Sequence, residues 1–317
     1  MSAVMRPLFA DPRTDYAFKA IFGTEEHKPL LVALLNDLLE LDEAHRVVQV
    51  ELLSAEQRPK VSELKHSIVD VKCRDARGTT YVVEMQVLNV EGFEKRVVYN
   101  VAKAYTSQLG IGEHYPTLND VIGVTICDFN LWPEAEVPLL SRWRMQEQHT
   151  RRVGLPELQF VFLELPKLDR TREPQTVIEK WAYFFREASK LKSVPPVLAQ
   201  KPHLDALDAA RTARFSEEEW EAYIRAGMAI QDERGALSLA RREGREEGHK
   251  EGHKEGHTEG QLIQARTTLR RVLRARGLAI SAEDEARIDA CSDLATLDQW
   301  LDRSLTADTV AAALTSA

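Results

Sequence analysis

Two acidic side chains, Asp70 and Glu84, lie within apolar, β-branched runs between residues 67 and 87. A polar turn at residues 75–78 joins the runs, a pattern that predicts a β-hairpin. A carboxylate taken out of water is unfavourable without a partner, so two of them on neighbouring strands indicate a bound cation or a salt-bridge network. Mg²⁺ suits such a pair, because it prefers oxygen ligands and is commonly held by one or two carboxylates. The hairpin therefore favours a metal site for phosphodiester hydrolysis; the alternative is an acidic residue that faces solvent from a half-exposed strand.

The elements around the hairpin follow from hydrophobic periodicity. Residues 15–40 predict one or two helices with a break at Gly23 and Pro29. Further strands are predicted at residues 47–53, 121–129 and 158–165, and further helices at residues 96–109 and 176–191. A helix that directly follows the hairpin would pack across the sheet. Strand alternation also places Lys72 on the face of Asp70 and Gln86 on the face of Glu84.

In order and spacing these residues resemble the PD-(D/E)XK nuclease superfamily, and within it the recombination-promoting nuclease and putative transposase (Rpn) family. The core of the resemblance is Asp70, a turn, and Glu84-Met85-Gln86. Its other segments are Asp15-Tyr16-Ala17-Phe18-Lys19 with Phe22-Gly23, residues 96–99, residues 105–115, and Phe162-Leu163-Glu164-Leu165 with Lys167. The resemblance covers roughly residues 11–190 and then the glycine-repeat tail, and it implies an α/β fold, a PD-(D/E)XK-like mixed sheet flanked by helices.

The resemblance also implies a site chemistry. Asp70 and Glu84, with the backbone carbonyl of Met85, would hold one or two Mg²⁺ or Mn²⁺ ions. It assigns the third motif position to Gln86, where the wider superfamily usually has lysine. A glutamine orients a water by hydrogen bonding but carries no charge. Lys72 or a second metal ion would then supply the missing positive charge.

Basic residues near these motifs are candidates for binding DNA. Asp15 and Lys19 are four residues apart on a predicted helix, which by itself indicates an exposed ion pair. The resemblance places that helix beside the hairpin, with Asp15 as an outer acidic group and Lys19 as a phosphate contact. On the helix after the hairpin, Arg96 and Lys103 either meet a phosphate backbone or form a solvated face.

A second basic cluster precedes the last predicted strand. Arg142 and Arg144, together with residues 151–152 and flanked by Trp143, form a candidate DNA-facing surface. The alternative is an exposed β-edge that charge keeps soluble.

Composition limits the class of protein. The 317 residues carry a net charge of −8, which argues against a generally basic DNA-coating protein. No apolar run approaches the length of a membrane span, and residues 1–10 lack a secretory hydrophobic region. The three cysteines are scattered and odd in number, so they indicate neither a disulfide framework nor a zinc site. A cytoplasmic protein with no membrane association is expected.

The chain is expected to contain a nuclease domain (residues 1–195), a helical connector (196–241), a Glu-Gly tetrapeptide repeat (242–261) and a small helical C-terminal module (262–317). Three prolines at residues 195–202 indicate the first boundary. Residues 277–317 carry −6 and leave −2 for the rest of the chain. The arginines of residues 262–276 are therefore expected to pair with this acidic end, within the chain or between subunits, rather than with DNA.

Three interpretations of the repeat remain open. The segment is a flexible spacer, a helix whose glycine stripe allows a second copy to approach closely, or a transition-metal site formed by His249, His253 and His257. Each internal glycine costs a helix about 1 kcal/mol relative to alanine. The function predicted from the whole sequence is a metal-dependent DNA endonuclease of the recombination-promoting type that forms a homo-oligomer through its tail. The alternative is a catalytically inactive nuclease fold that binds DNA or a protein.

Overall fold

The chain divides into two compact units. The computed structural model describes residues 6–57, 67–110 and 112–315. The first unit is Met1–Arg234 and the second is Gly235–Ala317. The first unit contains a mixed sheet flanked by helices, and the described residues of the second contain helices and no strand. The predicted α/β fold with a helical C-terminal module is therefore confirmed.

The described part of the first unit contains a six-stranded mixed sheet and a separate two-stranded sheet. Its strands are β1 (Val50–Leu53), β2 (Glu56–Gln57), β3 (Ser67–Ile68), β4 (Val71–Asp75), β5 (Thr80–Gln86), β6 (Val121–Cys127), β7 (Leu140–Trp143) and β8 (Leu158–Glu164). Six of them form the sheet in the order β1-β4-β5-β6-β8-β7, and β2 pairs with β3. Neighbours β1, β4 and β5 are antiparallel, β5, β6 and β8 are parallel, and β7 is antiparallel to β8 at the edge. Strand β6 is buried along its whole length, as its β-branched run predicts.

Helices cover one face of the sheet with a single aromatic core. The helices that begin in the first unit are α1 (Asp15–Phe22), α2 (Lys28–Leu39), α3 (Phe93–Thr106), α4 (Val177–Glu187), α5 (His203–Ala209) and α6 (Glu217–Ala275). The Phe22 ring of α1 lies 6.0 Å from Trp181 and 5.8 Å from Phe185, both on α4. The buried Trp181 Nε1 donates to Asp37 Oδ2 of α2 at 2.7 Å, which satisfies the indole inside the core. This core fixes α1 against the same face of the sheet, next to the hairpin.

Helix α3 packs on the opposite face, and a glycine of β6 allows its close approach. A Cβ on Gly123 would lie only 2.7 Å from Val101 Cγ2 of α3 and 3.4 Å from Phe160 Cδ1 of β8. A larger residue at this position would therefore push α3 away from the sheet. Since α3 carries Arg96 and Asn100, this contact sets the height of both side chains above β5.

The hairpin turn is stabilised by one buried carboxylate. Asp75 Oδ1 accepts from the backbone N–H groups of Arg77 and Thr79, each at 3.0 Å. Gly78 has φ 91°, a left-handed conformation that favours glycine. The predicted turn at residues 75–78 thus joins β4 to β5 and fixes their register.

The first unit extends beyond the boundary predicted near residue 195. The prolines of residues 195–202 indicated a linker, but Leu198 and Leu207 are fully buried in the core of the unit. The backbone N–H of Ala10 donates to the Ala210 carbonyl at 2.7 Å and ties this segment to the N-terminal region. Residues 196–234 are therefore packed against the nuclease-like core and do not form a separate connector.

Helix α6 begins in the first unit and ends in the second unit, which contains the repeat. The repeat of residues 242–260 is helical, and no heavy atom lies within 4 Å of a Cβ built on any of its glycines, beyond their own helix neighbours. The second unit also contains α7 (Ala282–Ala290), α8 (Leu294–Ser304) and α9 (Val310–Ala313). None of the helices within the described ranges combines the length and the apolar character needed to cross a membrane.

The arginine face of α6 pairs with the acidic C-terminal end of the same chain. Arg270 contacts Glu285 and Asp289, each at 2.5 Å, and Arg274 contacts Glu285 at 3.2 Å. Arg276 Nη1 donates to the Ser304 carbonyl at 2.9 Å. These contacts lie inside the second unit, so the prediction of pairing within the chain is confirmed.

Candidate active site

Asp70 and Glu84 meet at the end of the hairpin that is away from its turn. Val71 pairs with Val83, and the same antiparallel register places Asp70 opposite Glu84. The single strand predicted across residues 67–72 is interrupted, because β3 ends at Ile68 and Asp70 lies in a bend before β4. The bend turns the Asp70 carboxylate back toward the backbone of β5.

Both carboxylates line one pocket of about 810 Å³. Strand β5 also contributes Met85 and Gln86, and α3 contributes Phe93, Lys95, Arg96, Tyr99 and Asn100. The pocket thus combines acidic residues of the sheet with basic and polar residues of the helix above it. Such a pairing suits a cation and an anionic substrate in one cleft.

Asp70 is held in a setting that resists its ionisation. Oδ2 accepts from the Met85 backbone N–H at 2.7 Å, and Lys19 Nζ lies 4.0 Å from Oδ1. Burial raises the pKa of Asp70 from 3.8 to about 7, and the negative charges of Asp15 and Glu84 act in the same direction. The Met85 N–H and Lys19 lower this pKa but do not offset the burial. A carboxylate of this kind is readily ionised by a bound cation.

Glu84 is positioned from the opposite side by Asn100. The Glu84 residue is only 8% exposed, and its Oε1 accepts from Asn100 Nδ2 at 2.8 Å. Burial raises the pKa of Glu84, while the Asn100 hydrogen bond and the Arg96 charge lower it. Asn100 is 2% exposed, and its Oδ1 has no hydrogen-bond partner among the described residues. The amide therefore leaves one buried acceptor available beside the carboxylate.

The backbone of Met85 faces the same side as Asp70. Thr80 and Gln86 hydrogen-bond to the β6 side of β5, through Asp120 and Asp128. The alternation of a strand then turns Met85 to the β4 side, where its N–H donates to Asp70. The N–H and C=O of one strand residue point the same way, so the Met85 carbonyl is directed toward the Asp70 side as well.

Gln86 is fixed at both ends of its amide. Its Oε1 accepts from Arg96 Nη2 at 2.5 Å, and its Nε2 donates to the Leu88 carbonyl at 2.9 Å. The Arg96 guanidinium lies over the Phe93 ring, 5.2 Å from its centroid. The sequence predicted Gln86 and Arg96 as separate site residues, and the structure joins them directly.

Asp15 and Lys19 lie on the first helix close to Asp70, although neither residue lines the pocket. They form an i,i+4 ion pair of 2.6 Å on α1. Lys19 Nζ also lies 4.0 Å from Asp70, and the Asp15 charge raises the pKa of Asp70. The ion pair expected from spacing alone is therefore present, and it lies beside the hairpin as the resemblance implied.

Two other predicted lysines lie at different distances from the pocket. Lys103 Nζ lies 5.5 Å from the centroid of the Tyr99 ring and 3.5 Å from Ser67 Oγ, and both partners line the pocket. Lys72 lies on β4 opposite Val82, on the face of Asp70 and Glu84, but it does not line the pocket. Burial lowers the pKa of Lys72. A catalytic role for Lys72 remains a prediction.

The arginine cluster of residues 142 and 144 lies elsewhere on the molecule. Arg142 contacts Glu40 at 2.9 Å and donates to the Leu38 carbonyl at 3.0 Å. Arg144 lines a separate pocket with residues from the other ends of β5 and β6, such as Thr79. The structure does not bring this cluster to the pocket of Asp70, since β7 is the edge strand that the alternative interpretation proposed. DNA binding by Arg142 and Arg144 remains a prediction.

Sequence reasoning missed the bond between Asn100 and Glu84. Asn100 is one of several polar residues of α3, and its type alone does not indicate a contact with Glu84. The available signal was its spacing of four from Arg96, which places the two side chains on one face of α3. Lys95 and Glu91 also line the pocket. Nothing in the sequence except their closeness to the hairpin indicated this position.

The donors in the pocket fit a hard divalent cation. Two carboxylates and a backbone carbonyl provide oxygen ligands of the type that Mg²⁺ and Mn²⁺ prefer, and Asn100 Oδ1 adds a buried oxygen without a partner. In the described ranges no group of three or more His, Cys, Asp or Glu residues is arranged to hold a metal. A transition-metal site at His249, His253 and His257 remains a prediction.

The comparison with protein families agrees with this geometry. Residues 12–240 match the family described as PD-(D/E)XK nuclease family transposase. The chain belongs to this family, which confirms the resemblance that the motifs indicated. Neither a curated protein nor a solved structure matches the chain.

Proposed function

We propose that the chain is a metal-dependent endonuclease that hydrolyses phosphodiester bonds in DNA, of the recombination-promoting, transposase-like type. The observation that carries the proposal is the pair Asp70 and Glu84. These two carboxylates share one pocket, and no cationic nitrogen of the described residues approaches either of them more closely than Lys19 at 4.0 Å. Desolvated acids without a close counter-charge favour a bound cation. Membership of a nuclease family supports the same reading.

Each polar group of the pocket has a proposed task. Asp70, Glu84 and the Met85 carbonyl would hold Mg²⁺ or Mn²⁺, with Asp15 as an outer acidic group. When bound, the ion lowers the pKa of an attacking water and polarises the phosphate. Asn100 keeps the Glu84 carboxylate in place through its 2.8 Å hydrogen bond. This division assigns ligation to the sheet and orientation to α3.

Binding of DNA is proposed for the basic residues around the pocket. Lys19, Arg96 and Lys103 come from two helices on either side of the acidic pair. Phosphate contacts of this kind position a nucleic acid without reading its sequence. Arg142 and Arg144 would add a second, more distant surface. The three cysteines are free thiols, in keeping with action in the cytoplasm.

The test is a plasmid assay with a series of metals. Purified full-length protein is incubated with supercoiled DNA in Mg²⁺, Mn²⁺, Ca²⁺ or EDTA. We expect nicked and then linear product with Mg²⁺ or Mn²⁺ and none with EDTA. Calorimetric titration of the protein with Mn²⁺ is the companion measurement. Mn²⁺ binding without cleavage would favour the inactive binding module, and absence of both would contradict the metal site.

We further propose that two copies assemble through the repeat helix in parallel orientation. The glycines at residues 244, 248, 252, 256 and 260 have open space beside them. A glutamate precedes each glycine in the sequence and lies on one side of the glycine stripe. Arg245 or a histidine follows each of the first four glycines and lies on the other side of the stripe. Two parallel helices that meet across the glycines bring the Glu flank of one copy to the basic flank of the other. Antiparallel helices would instead bring Glu against Glu.

The expected result is a dimer that bulky side chains disrupt. Leucine at Gly248, Gly252 and Gly256 should give a monomer by light scattering, because the helices can no longer approach. The matched control replaces Lys250 and Lys254, which lie on the opposite side of the helix, and should remain dimeric. A wild-type protein that is monomeric at high concentration, or a triple-leucine variant that remains dimeric, would contradict this assembly.

A further inference from the structure

The position after Glu84 and Met85 carries no charge, and its side chain is already engaged. Gln86 uses its Oε1 for Arg96 and its Nε2 for the Leu88 carbonyl. In this arrangement the Gln86 amide holds the Arg96 guanidinium in position. The positive charge closest to the third motif position therefore comes from Arg96 on α3, and not from the strand.

Arg96 is held in place by two direct contacts and by the packing of its helix. Nη2 is bound by Gln86 at 2.5 Å, the guanidinium stacks over Phe93 at 5.2 Å, and α3 itself is seated on Gly123. Long arginine side chains lose considerable freedom when they are fixed in this way. Preorganisation of a charge is useful where negative charge develops during a reaction.

Part of the Arg96 donor set is unused. Its Nε–H is buried and has no hydrogen-bond partner among the described residues. A buried donor without a partner is unfavourable by an amount similar to a lost hydrogen bond. Arg96 therefore lines the same pocket as the carboxylates and carries a buried donor that is not satisfied there.

We propose that Arg96 is a catalytic residue, which donates to a non-bridging oxygen of the scissile phosphate and stabilises the charge that develops there. The inference rests on the proposed nuclease function and deepens it. A water oxygen forms the new P–O bond, the P–O bond to one sugar oxygen breaks, and that oxygen takes up a proton. The water releases its proton to solvent. Arg96 acts only as a hydrogen-bond donor and transfers no proton.

Two simpler roles make different predictions. If Arg96 only holds DNA, its loss weakens DNA affinity and leaves the rate of cleavage by the bound protein intact. If Arg96 only positions Gln86, a lysine at position 86 should not restore the cleavage rate that is lost with Arg96. A charge role predicts a loss in the rate of the bound complex, and partial rescue by a charge placed from the strand.

The experiment compares R96A, R96K, Q86K and the double variant R96A/Q86K in full-length protein. Under single-turnover conditions with saturating protein, R96A should lose about a hundred-fold or more in rate, a far larger loss than its loss of DNA affinity. R96K should lose less, because a point charge lacks the guanidinium fork. Q86K should raise the rate of R96A at least about ten-fold. The matched control is R74A, which removes an exposed arginine of β4 and should cleave like wild type.

A second measurement does not depend on cleavage. The Nε–H resonance of Arg96, assigned by its absence in R96K, should shift when phosphorothioate DNA is added with Ca²⁺. An unmoved resonance, an unchanged rate in R96A, or a loss confined to DNA affinity would each overturn the role of Arg96. A wild-type protein that cuts no DNA in any metal contradicts the nuclease proposal instead, and the resonance then still decides whether Arg96 meets a phosphate.

Discussion

Asp70→Asn and Glu84→Gln are each expected to abolish DNA cleavage, by at least about a thousand-fold. Each change keeps the shape of the side chain and removes one anionic ligand from the pocket. A divalent ion contributes several kcal/mol of charge stabilisation to the transition state, and every 1.36 kcal/mol is about ten-fold in rate. The measurement is the single-turnover rate on plasmid DNA, together with Mn²⁺ affinity by calorimetry. Both quantities should fall in both variants.

Asp120→Asn is the matched control for these two variants. Burial raises the pKa of Asp120 as it does for Asp70 and Glu84, but Asp120 precedes β6 at the other end of the sheet. Its replacement should leave cleavage within about two-fold of wild type. Circular dichroism shows whether each variant keeps its fold. Cleavage that persists in both Asp70→Asn and Glu84→Gln would refute the site, whatever the metal requirement.

Asn100 links Glu84 to the packing of α3. Its Nδ2 donates to Glu84, and one helical turn away Arg96 holds Gln86. Both contacts depend on the distance between α3 and β5, which Gly123 sets through its contact with Val101. The orientation of the site is therefore a consequence of packing on the face of the sheet opposite to the aromatic core.

Local patterns were sufficient to predict the hairpin and the elements around it. A short turn with a glycine at positive φ fixes the register of two strands, so Asp70 and Glu84 had to face each other. Helical spacing of apolar residues located α1, α2 and α4, because the buried face of a helix repeats every 3.6 residues. The run of mostly apolar residues in β6 predicted a central strand, because such a strand is buried on both faces.

What local patterns missed depends on contacts between distant residues. The bend at Asp70 follows from its hydrogen bond to Met85, fifteen positions away. The Gln86–Arg96 contact depends on how α3 sits over the sheet. The boundary near residue 195 was predicted from prolines, although the apolar residues among them are buried against the core. The arginines at 142 and 144 were open to two interpretations, and only the strand order shows that Arg142 lies on an edge strand away from the pocket.

Asp70 should make the metal-free protein less stable as the pH rises, and Asp70→Asn should remove that dependence. The pKa of Asp70 is raised from 3.8 to about 7 by burial. Between these values the folded state binds more protons than the unfolded state, so the free energy of unfolding falls as pH rises from about 4 to about 7. Three pKa units correspond to about 4 kcal/mol as an upper limit, because one unit is about 1.36 kcal/mol.

Thermal unfolding of the first unit in EDTA, at pH 5 and at pH 8, measures this effect. Asp70→Asn should exceed wild type at pH 8 by about 4–8 °C if about half of that free energy is recovered, and by much less at pH 5, where Asp70 is protonated when folded. Saturating Mg²⁺ should raise the wild-type midpoint at pH 8 and leave Asp70→Asn unchanged, since only the wild type has the ligand. Identical pH profiles in EDTA would mean that Asp70 ionises freely in the folded protein. A carboxylate that destabilises the empty pocket and is stabilised by a cation is the physical signature of a site built for binding.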